Sequence, residues 1–299
     1  MTEKQKHIVP EGVLPTRLSD YGARIIFGFS RAGFNKAIKR GEIYVNGITG
    51  TSGRIISSGM ELKYCPEAKK TPKIYHTALE VIYEDDHLAV VRKPGGMVVS
   101  GNQFQTVENA LPDHLQTSKE QDALEIPRAI HRLDAPTSGM VIIAKTKNSR
   151  IFLGKQMEEK KINKKYTAVV IGKTPDSWAS SQPIDDKKAL TLFRKIESVP
   201  SLVSDTLTLI EAEPVTGRTH QIRKHLYRDD HPILGDKTYA REGFVLKGKG
   251  LFLCATELSF YHPSGNEKLN FSIQPPAKFF RFMQGEERRF WKYSKTDTH

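Results

Sequence analysis

Between residues 79 and 273 the chain returns repeatedly to short apolar runs rich in valine, isoleucine and aromatic residues: LEVIYED, LAVVRK, GMVIIAK, YTAVVIG, TLTLIEAE, LFLCATELSF and LNFSI. Each is short for a globular helix and has the composition of a buried or half-buried strand. NSRIFLGKQMEEKK, residues 148–161, carries a helical pattern among them, and PAKFFRFMQGEERRFWKY, residues 276–293, reads as a terminal helix with proline at its first turn. Strands that do not alternate strictly with helices argue against a doubly wound parallel sheet. The expected fold class is α+β, a mixed and largely antiparallel sheet with flanking helices.

Ahead of this body lies a segment of different character. Residues 1–75 hold 13 basic and 6 acidic side chains, so a quarter of the chain carries +7 of its formal net charge of +12. The proline-flanked stretch PEAKKTP reads as a linker, which divides the chain into a small α/β module over 14–66, a linker over 67–75 and a larger domain over 76–292. Within the module, residues 17–27 can form a short helix. Ser30 is placed to cap a second one, RAGFNKAIKR, which Gly41 closes. EIYVNG then alternates as a strand and ends in Asn46-Gly47, a hairpin turn signal. Arg31, Lys36, Lys39 and Arg40 crowd the second helix and Arg17 opens the first, a distribution suited to a phosphate backbone.

Several classes of protein are excluded. No apolar run nears the eighteen or so residues of a membrane span, and the first thirty residues lack the apolar block of a signal peptide. With only Cys65 and Cys254 there is no disulfide framework or thiolate zinc site, so a cytoplasmic protein is expected. Gly172-Lys173-Thr174 has the tail of a phosphate loop, but Thr167 stands where its first glycine belongs. His220 and His225 are five apart, one residue too far to ligate a metal from one helix face. His131-Arg132-Leu133-Asp134 departs from the His-Arg-Asp order of a kinase loop, and neither DFG nor a glycine-rich nucleotide loop accompanies it.

What remains is AIHRLDAPTSGMVIIAK, in which a carboxylate follows a basic pair and precedes a Pro-Thr-Ser-Gly turn into an apolar strand. Alone, Asp134 would read as a turn cap or an ion-pair partner of Arg132. The wider pattern argues otherwise. HRLDAPTSG resembles the catalytic signature of the RluA family of pseudouridine synthases, and VVRKPGGMVV, INKKYTAVV, GRTHQIRKHL, HPILGDKTY and LCATELSFYHPSG follow the family's order over residues 79–275. Two positions depart from it: Cys254 and Ser100 stand where the family often has histidine. In the amino-terminal segment, Arg17-Leu18, Ser30-Arg31 and AIKRGEIYVNG resemble the RNA-binding domain named after ribosomal protein S-four, although Ser19 precedes Asp20 where that domain usually reads Arg-Leu-Asp.

The resemblance implies an isomerase that converts uridine in RNA to pseudouridine without a metal, nucleotide or redox cofactor. By resemblance Asp134 is the catalytic carboxylate, either adding to the anomeric carbon or removing a proton from the neighbouring one. Arg223 would pair with it, and Ile222 and Leu226 would share the apolar i, i+4 face that anchors a helix opening near Thr219. By resemblance Tyr166 contacts the flipped uracil and could relay a proton at C5. His131 and Arg132 would help hold the RNA open, and Lys164, Lys165, Arg218 and His220 are candidates for phosphate contact. The expected partner is RNA, ribosomal RNA of the large subunit ahead of tRNA, with a monomer acting on it. The opposing reading is a catalytically silent RNA-binding or ribosome-assembly factor on the same scaffold.

Overall fold

The computed structural model describes residues 5–22, 27–65, 74–240, 248–265 and 267–294. The chain separates into two units, Met1–Pro72 and Lys73–His299. In the first, β1 (Gln5–Ile8), β6 (Glu61–Tyr64), β3 (Ile43–Val45) and β4 (Ile48–Thr49) form a four-stranded sheet in that order, while β2 (Thr16–Arg17) pairs with β5 (Ile55–Ile56). The described residues of the unit also form two α-helices, α1 (Leu18–Tyr21) and α2 (Arg31–Lys39). The Ser30 hydroxyl accepts from the Gly33 N–H and so caps α2, and Gly41 follows the helix at φ 75°. Asn46 and Gly47 both take positive φ and turn β3 tightly into β4. Phe34, Ala37 and Ile38 of α2 pack with Leu18, Ile43, Val45 and Leu62 in a separate small core.

The helix anticipated over 17–27 is much shorter in the described residues. Arg17 is committed to a strand pair with Ile55, and only Leu18–Tyr21 is α-helical. Residues 23–26 of that expectation lie outside the described residues, as does most of the 67–75 linker. Arg17, Arg31, Lys36, Lys39 and Arg40 are all exposed. Arg31 pairs with Asp20 at 3.3 Å and Arg40 with Glu42 at 2.9 Å, whereas Lys36 and Lys39 have no acidic partner among the described residues.

The second unit is built on one ten-stranded sheet. Its strands are β7 (Glu80–Glu84), β8 (Leu88–Lys93), β9 (Ala123–Ala129), β10 (Ser138–Thr146), β11 (Asn163–Ile171), β12 (Ser177–Ser180), β13 (Thr191–Ser201), β14 (Asp205–Pro214), β15 (Leu253–Tyr261) and β16 (Lys268–Ser272). The main order is β12-β13-β14-β11-β15-β10-β8-β7, with β16 on β15 and β9 on β10. Among the described residues, every strand pairing of this sheet is antiparallel except β10 with β15. This is the α+β, largely antiparallel architecture anticipated above.

The continuous apolar runs of β8 and β10 arise because both faces of the sheet are covered. Ala89, Val91, Val141 and Ile143 enter one core, and the alternating Leu88, Val90, Met140 and Ile142 enter another. Helix α3 (Val107–Ala110), helix α5 (Gln221–Arg228) and helix α6 (Lys278–Ser294) contribute to the first, and Leu153 of α4 (Lys147–Glu158) to the second. The parallel β10–β15 contact requires Gly139, which sits at φ 120° with its α-carbon against the backbone of Ala255. A side chain there would collide with the Ala255 amide and carbonyl. That contact holds the residue ahead of it, Ser138, and the loop that precedes β10. Among the described residues no helix is long and apolar enough to cross a membrane.

Candidate active site

Asp134 lies on the loop between β9 and β10. The loop is pinned on either side of the carboxylate: Leu133 is buried in the larger core, and the Thr137 N–H donates to the Asp134 carbonyl at 3.0 Å. From below, the Gly96 N–H donates to the Ala135 carbonyl at 2.7 Å. Lys93, fully buried at the end of β8, donates to the carbonyls of Pro94 (2.9 Å), Met97 (2.6 Å) and Ala135 (3.0 Å). Burial pushes the Lys93 ammonium down to about 8 against the opposing influence of Asp134. Only the charged form has three N–H groups for its three carbonyls, so the Lys-Pro-Gly turn and the Asp134 loop are tied together by one cation.

Arg223 reaches Asp134 from helix α5. Ile222 and Leu226 are buried in the larger core, as their i, i+4 spacing requires, and turn the intervening Arg223 inward. The helix begins at Gln221 rather than Thr219, with His220 in the left-handed conformation at φ 57° as its N-cap. Gln221 fixes this end. Its amide donates to the Leu190 carbonyl and the Thr191 hydroxyl, and its carbonyl accepts from the Thr216 hydroxyl and the Arg218 N–H. Arg223 is 3% exposed and bridges two carboxylates. Nε and Nη2 donate to Asp236 at 2.7 and 2.8 Å, and Nη1 donates to Asp134 Oδ2 at 3.2 Å.

Asp236 has a fully buried side chain and accepts from the backbone N–H groups of Thr238 and Tyr239 as well. These donors and the guanidinium outweigh its burial and hold its carboxyl below the ordinary range. The Arg223 guanidinium lies 5.0 Å from the centre of the Tyr239 ring. A fixed cation is thus presented to Asp134, whose side chain is 20% exposed.

Asp134, Arg223 and Tyr166 line one cavity of about 310 Å³, within the range of small-ligand sites. Tyr166 enters at the start of β11, where a bulge between Lys165 and Tyr166 shifts the register against β15. Burial and the nearby Asp134 raise its phenol well above the ordinary tyrosine value, so it is a neutral hydroxyl on an apolar ring. Arg132, Lys164, Arg218 and His220 line the same cavity. Arg132 is exposed, Lys164 is held below the usual lysine range by burial, and Arg218 Nε donates to the Lys188 carbonyl at 3.0 Å.

Two sequence candidates have other geometry. Lys165 is not among the cavity residues and pairs instead with Glu211 (3.4 Å) and Glu257 (3.6 Å) on neighbouring strands. His131 lines the cavity, but its Nε2 accepts from the Ile142 N–H at 3.2 Å, and burial pushes its pKa down to about 3. It is a neutral acceptor bound to β10. Cys254 is fully buried on β15, opposite Ser138 and Thr167. Ser100 is exposed.

Asp236, Tyr239, Lys93 and Gln221 were not singled out as site residues from the sequence. All four lie within motifs that the resemblance had marked, HPILGDKTY, VVRKPGGMVV and GRTHQIRKHL, and that was the available signal.

Comparison with known proteins bears on the same segments. The family model described as RNA pseudouridylate synthase matches residues 87–227. An uncharacterized RNA pseudouridine synthase of Aquifex aeolicus is 33% identical over 291 residues, covering 88% of this chain and 91% of that protein. The chain belongs to the RNA pseudouridine synthase family. It is an isomerase acting on RNA. Ribosomal large subunit pseudouridine synthase D of Nitrosomonas europaea is 30% identical over 92% of this chain and 86% of its own. Dual-specificity RNA pseudouridine synthase RluA of Haemophilus influenzae is 33% identical over 66% of this chain and 93% of its own. The fold also resembles human RNA pseudouridylate synthase domain containing 4, with a TM-score of 0.54 at 24% identity over 70% of this chain and 93% of that one.

Proposed function

We propose that Asp134 is the carboxylate through which this pseudouridine synthase acts on the ribose of a flipped uridine, with large-subunit ribosomal RNA as its target. The observation that carries the reading is the division of labour at Asp134: Oδ2 is held by a buried arginine that is itself locked to Asp236, while the side chain remains partly open to the cavity. A base inside RNA must leave its stack to reach such a site, at about a few kcal/mol, and Arg132, Lys164 and Arg218 at the cavity supply phosphate-attracting charge.

The chemistry is balanced within one nucleotide. The bond from N1 to C1′ breaks, the uracil turns, C5 bonds to C1′, C5 gives up its proton and N1 gains one. Asp134 either forms a transient ester at C1′ or removes the C2′ proton and later returns it. Arg223 orients the carboxylate through its hydrogen bond to Oδ2. Tyr166, a protonated phenol beside Asp134, packs on the uracil and serves as the nearby hydroxyl when the C5 proton departs.

The amino-terminal unit acts as an S-four-like RNA handle through Arg17, Arg31, Lys36, Lys39 and Arg40. Lys36 and Lys39, exposed without acidic partners among the described residues, are its strongest phosphate contacts. Similarity to D-type large-subunit enzymes over most of the chain supports the ribosomal target; tRNA is the alternative, and one relative is named for dual specificity. The unpaired thiols of Cys65 and Cys254 fit a monomer working in the reducing cytoplasm. Mapping pseudouridine in total RNA from cells with and without the gene tests the target. Loss confined to large-subunit ribosomal RNA is the expected result. Loss confined to tRNA selects the alternative, and an unchanged map rejects both.

A further inference from the structure

The two oxygens of Asp134 face different neighbours. Oδ2 receives Nη1 of Arg223, while Oδ1 lies 3.7 Å from Nε2 of His220, too far for a hydrogen bond. His220 is held there by an unusual backbone: it occupies the left-handed region at φ 57°, uncommon for a residue other than glycine, as the cap of α5. Its other ring nitrogen, Nδ1, is 3.0 Å from the Tyr239 hydroxyl, and the two rings meet edge to face at 5.6 Å. Tyr239 also underlies the Arg223 guanidinium, so one phenol supports the groups that face both oxygens of the carboxylate.

This arrangement selects a tautomer. A lone pair on Nε2 aimed at Oδ1 would be repelled by the carboxylate, whereas an N–H there is attracted to it. Nδ1 is then the acceptor and the Tyr239 hydroxyl the donor. Burial is the main influence lowering the His220 pKa. Arg223 and Lys224 act in the same direction, and Asp134 and Asp236 oppose them. The ring is therefore a neutral imidazole that presents one N–H into the cavity beside the free oxygen of Asp134.

On the reading that Asp134 acts on the ribose, that oxygen approaches C1′ or the hydrogen on C2′. The 2′-oxygen is one bond from C2′ and two from C1′, so either route brings it alongside Oδ1. The N–H of His220 then gains an acceptor that no described residue supplies. We infer that His220 reads the ribose 2′-hydroxyl of the target nucleotide, its Nε2–H donating to the 2′-oxygen, and so selects ribose over deoxyribose at the isomerised position. A neutral imidazole committed to Tyr239 suits a hydroxyl better than the phosphate contact expected of this residue from sequence.

The test measures binding by rapid mixing before turnover, with Asp134 intact, because asparagine there would keep its oxygen on Arg223 and turn an amide N–H toward Nε2 of His220. The probes are two RNAs that differ only in uridine or 2′-deoxyuridine at the target position. With His220 present, the 2′-deoxy RNA should bind about tenfold more weakly, the loss of one hydrogen bond in a desolvated site. Adding His220→Asn, which tolerates the left-handed backbone but is too short to reach, should bring the two affinities together. His220→Gln, whose amide can donate, should restore part of the difference. A tenfold preference that survives His220→Asn, or no preference with His220 in place, overturns the assignment. Equal weakening of both RNAs in His220→Asn, with the preference intact, is what a merely structural histidine would show and overturns it too. Failure of the underlying reading is seen separately: an Asp134→Asn protein that still forms pseudouridine refutes the role of the carboxylate.

Discussion

Replacing Asp236 by asparagine probes the support of the site without touching the cavity carboxylate. The wild-type Asp236 side chain is fully buried and gives both oxygens to Arg223. In Asp236→Asn the retained oxygen still accepts from Nη2 and from the Thr238 and Tyr239 N–H groups, but the new NH₂ opposes the Nε–H of Arg223, donor against donor. A guanidinium with a 4% exposed side chain is then left with one carboxylate in place of two. Breaking a buried pair from one side costs about 3–5 kcal/mol. In a unit of this size that corresponds to a fall in Tm of about 6–20 °C at neutral pH.

The pH dependence has a definite sign. Asp236 is depressed in the folded state, so its contribution is fully present above the unfolded value of about 3.9 and is lost as pH falls through the lower folded value. The gap in Tm between wild type and Asp236→Asn should therefore narrow on acidification below that range. Because Arg223 also orients Asp134, turnover should fall by about 10²-fold, the effect of an ångström-scale misplacement, with RNA affinity little changed. Thermal melts across pH, paired with single-turnover pseudouridine formation, provide the assay. A variant with wild-type Tm and wild-type turnover would refute the claim that Asp236 holds Arg223 in place.

Three further outcomes are expected. Tyr166→Phe keeps the ring and removes the hydroxyl, so conversion should slow while RNA binding persists; equal turnover would remove the phenol from the chemistry. Gly139→Ala forces a Cβ into the Ala255 backbone at a positive φ and should lower stability by about 1–3 kcal/mol or more; an unchanged Tm would show that β10 and β15 can separate freely. Removal of residues 1–66 should weaken RNA binding and flatten the dependence of log K on log salt, as loss of phosphate contacts requires. An unaltered slope would mean that this unit does not hold RNA.

Local patterns in the sequence were most informative where the structure is locally determined. Ser30 caps α2, Asn46-Gly47 makes a hairpin, and Ile222 and Leu226 bury one face of α5, each for reasons contained within a few residues. The strands β9 and β13 escaped notice because ALEIPRA and TLFRKIESVPS carry proline and charge, and their pairing is decided by β10 and by β14, distant in the chain. Asp134, Tyr166 and Arg223 could be named in advance, and the structure brings them to one cavity.

The second tier of the site was less legible. Asp236 matters through a guanidinium on another element, and the spacing within HPILGDKTY says nothing of that. Nearness to the carboxylate in sequence does not fix which ring nitrogen faces it. His131 spends its ring nitrogen on the Ile142 amide, while His220, far along the chain, comes to 3.7 Å from Asp134. Lys165 alternates away from Lys164 on one strand and finds Glu211 and Glu257 instead.

The most direct measurement is conversion of uridine to pseudouridine in a bound RNA by Asp134→Asn, an isosteric change that keeps an acceptor for Arg223 and removes the charge. The variant should bind the RNA as wild type does and form no pseudouridine. Conversion at the wild-type rate would contradict the assignment of Asp134 and the mechanism built on it.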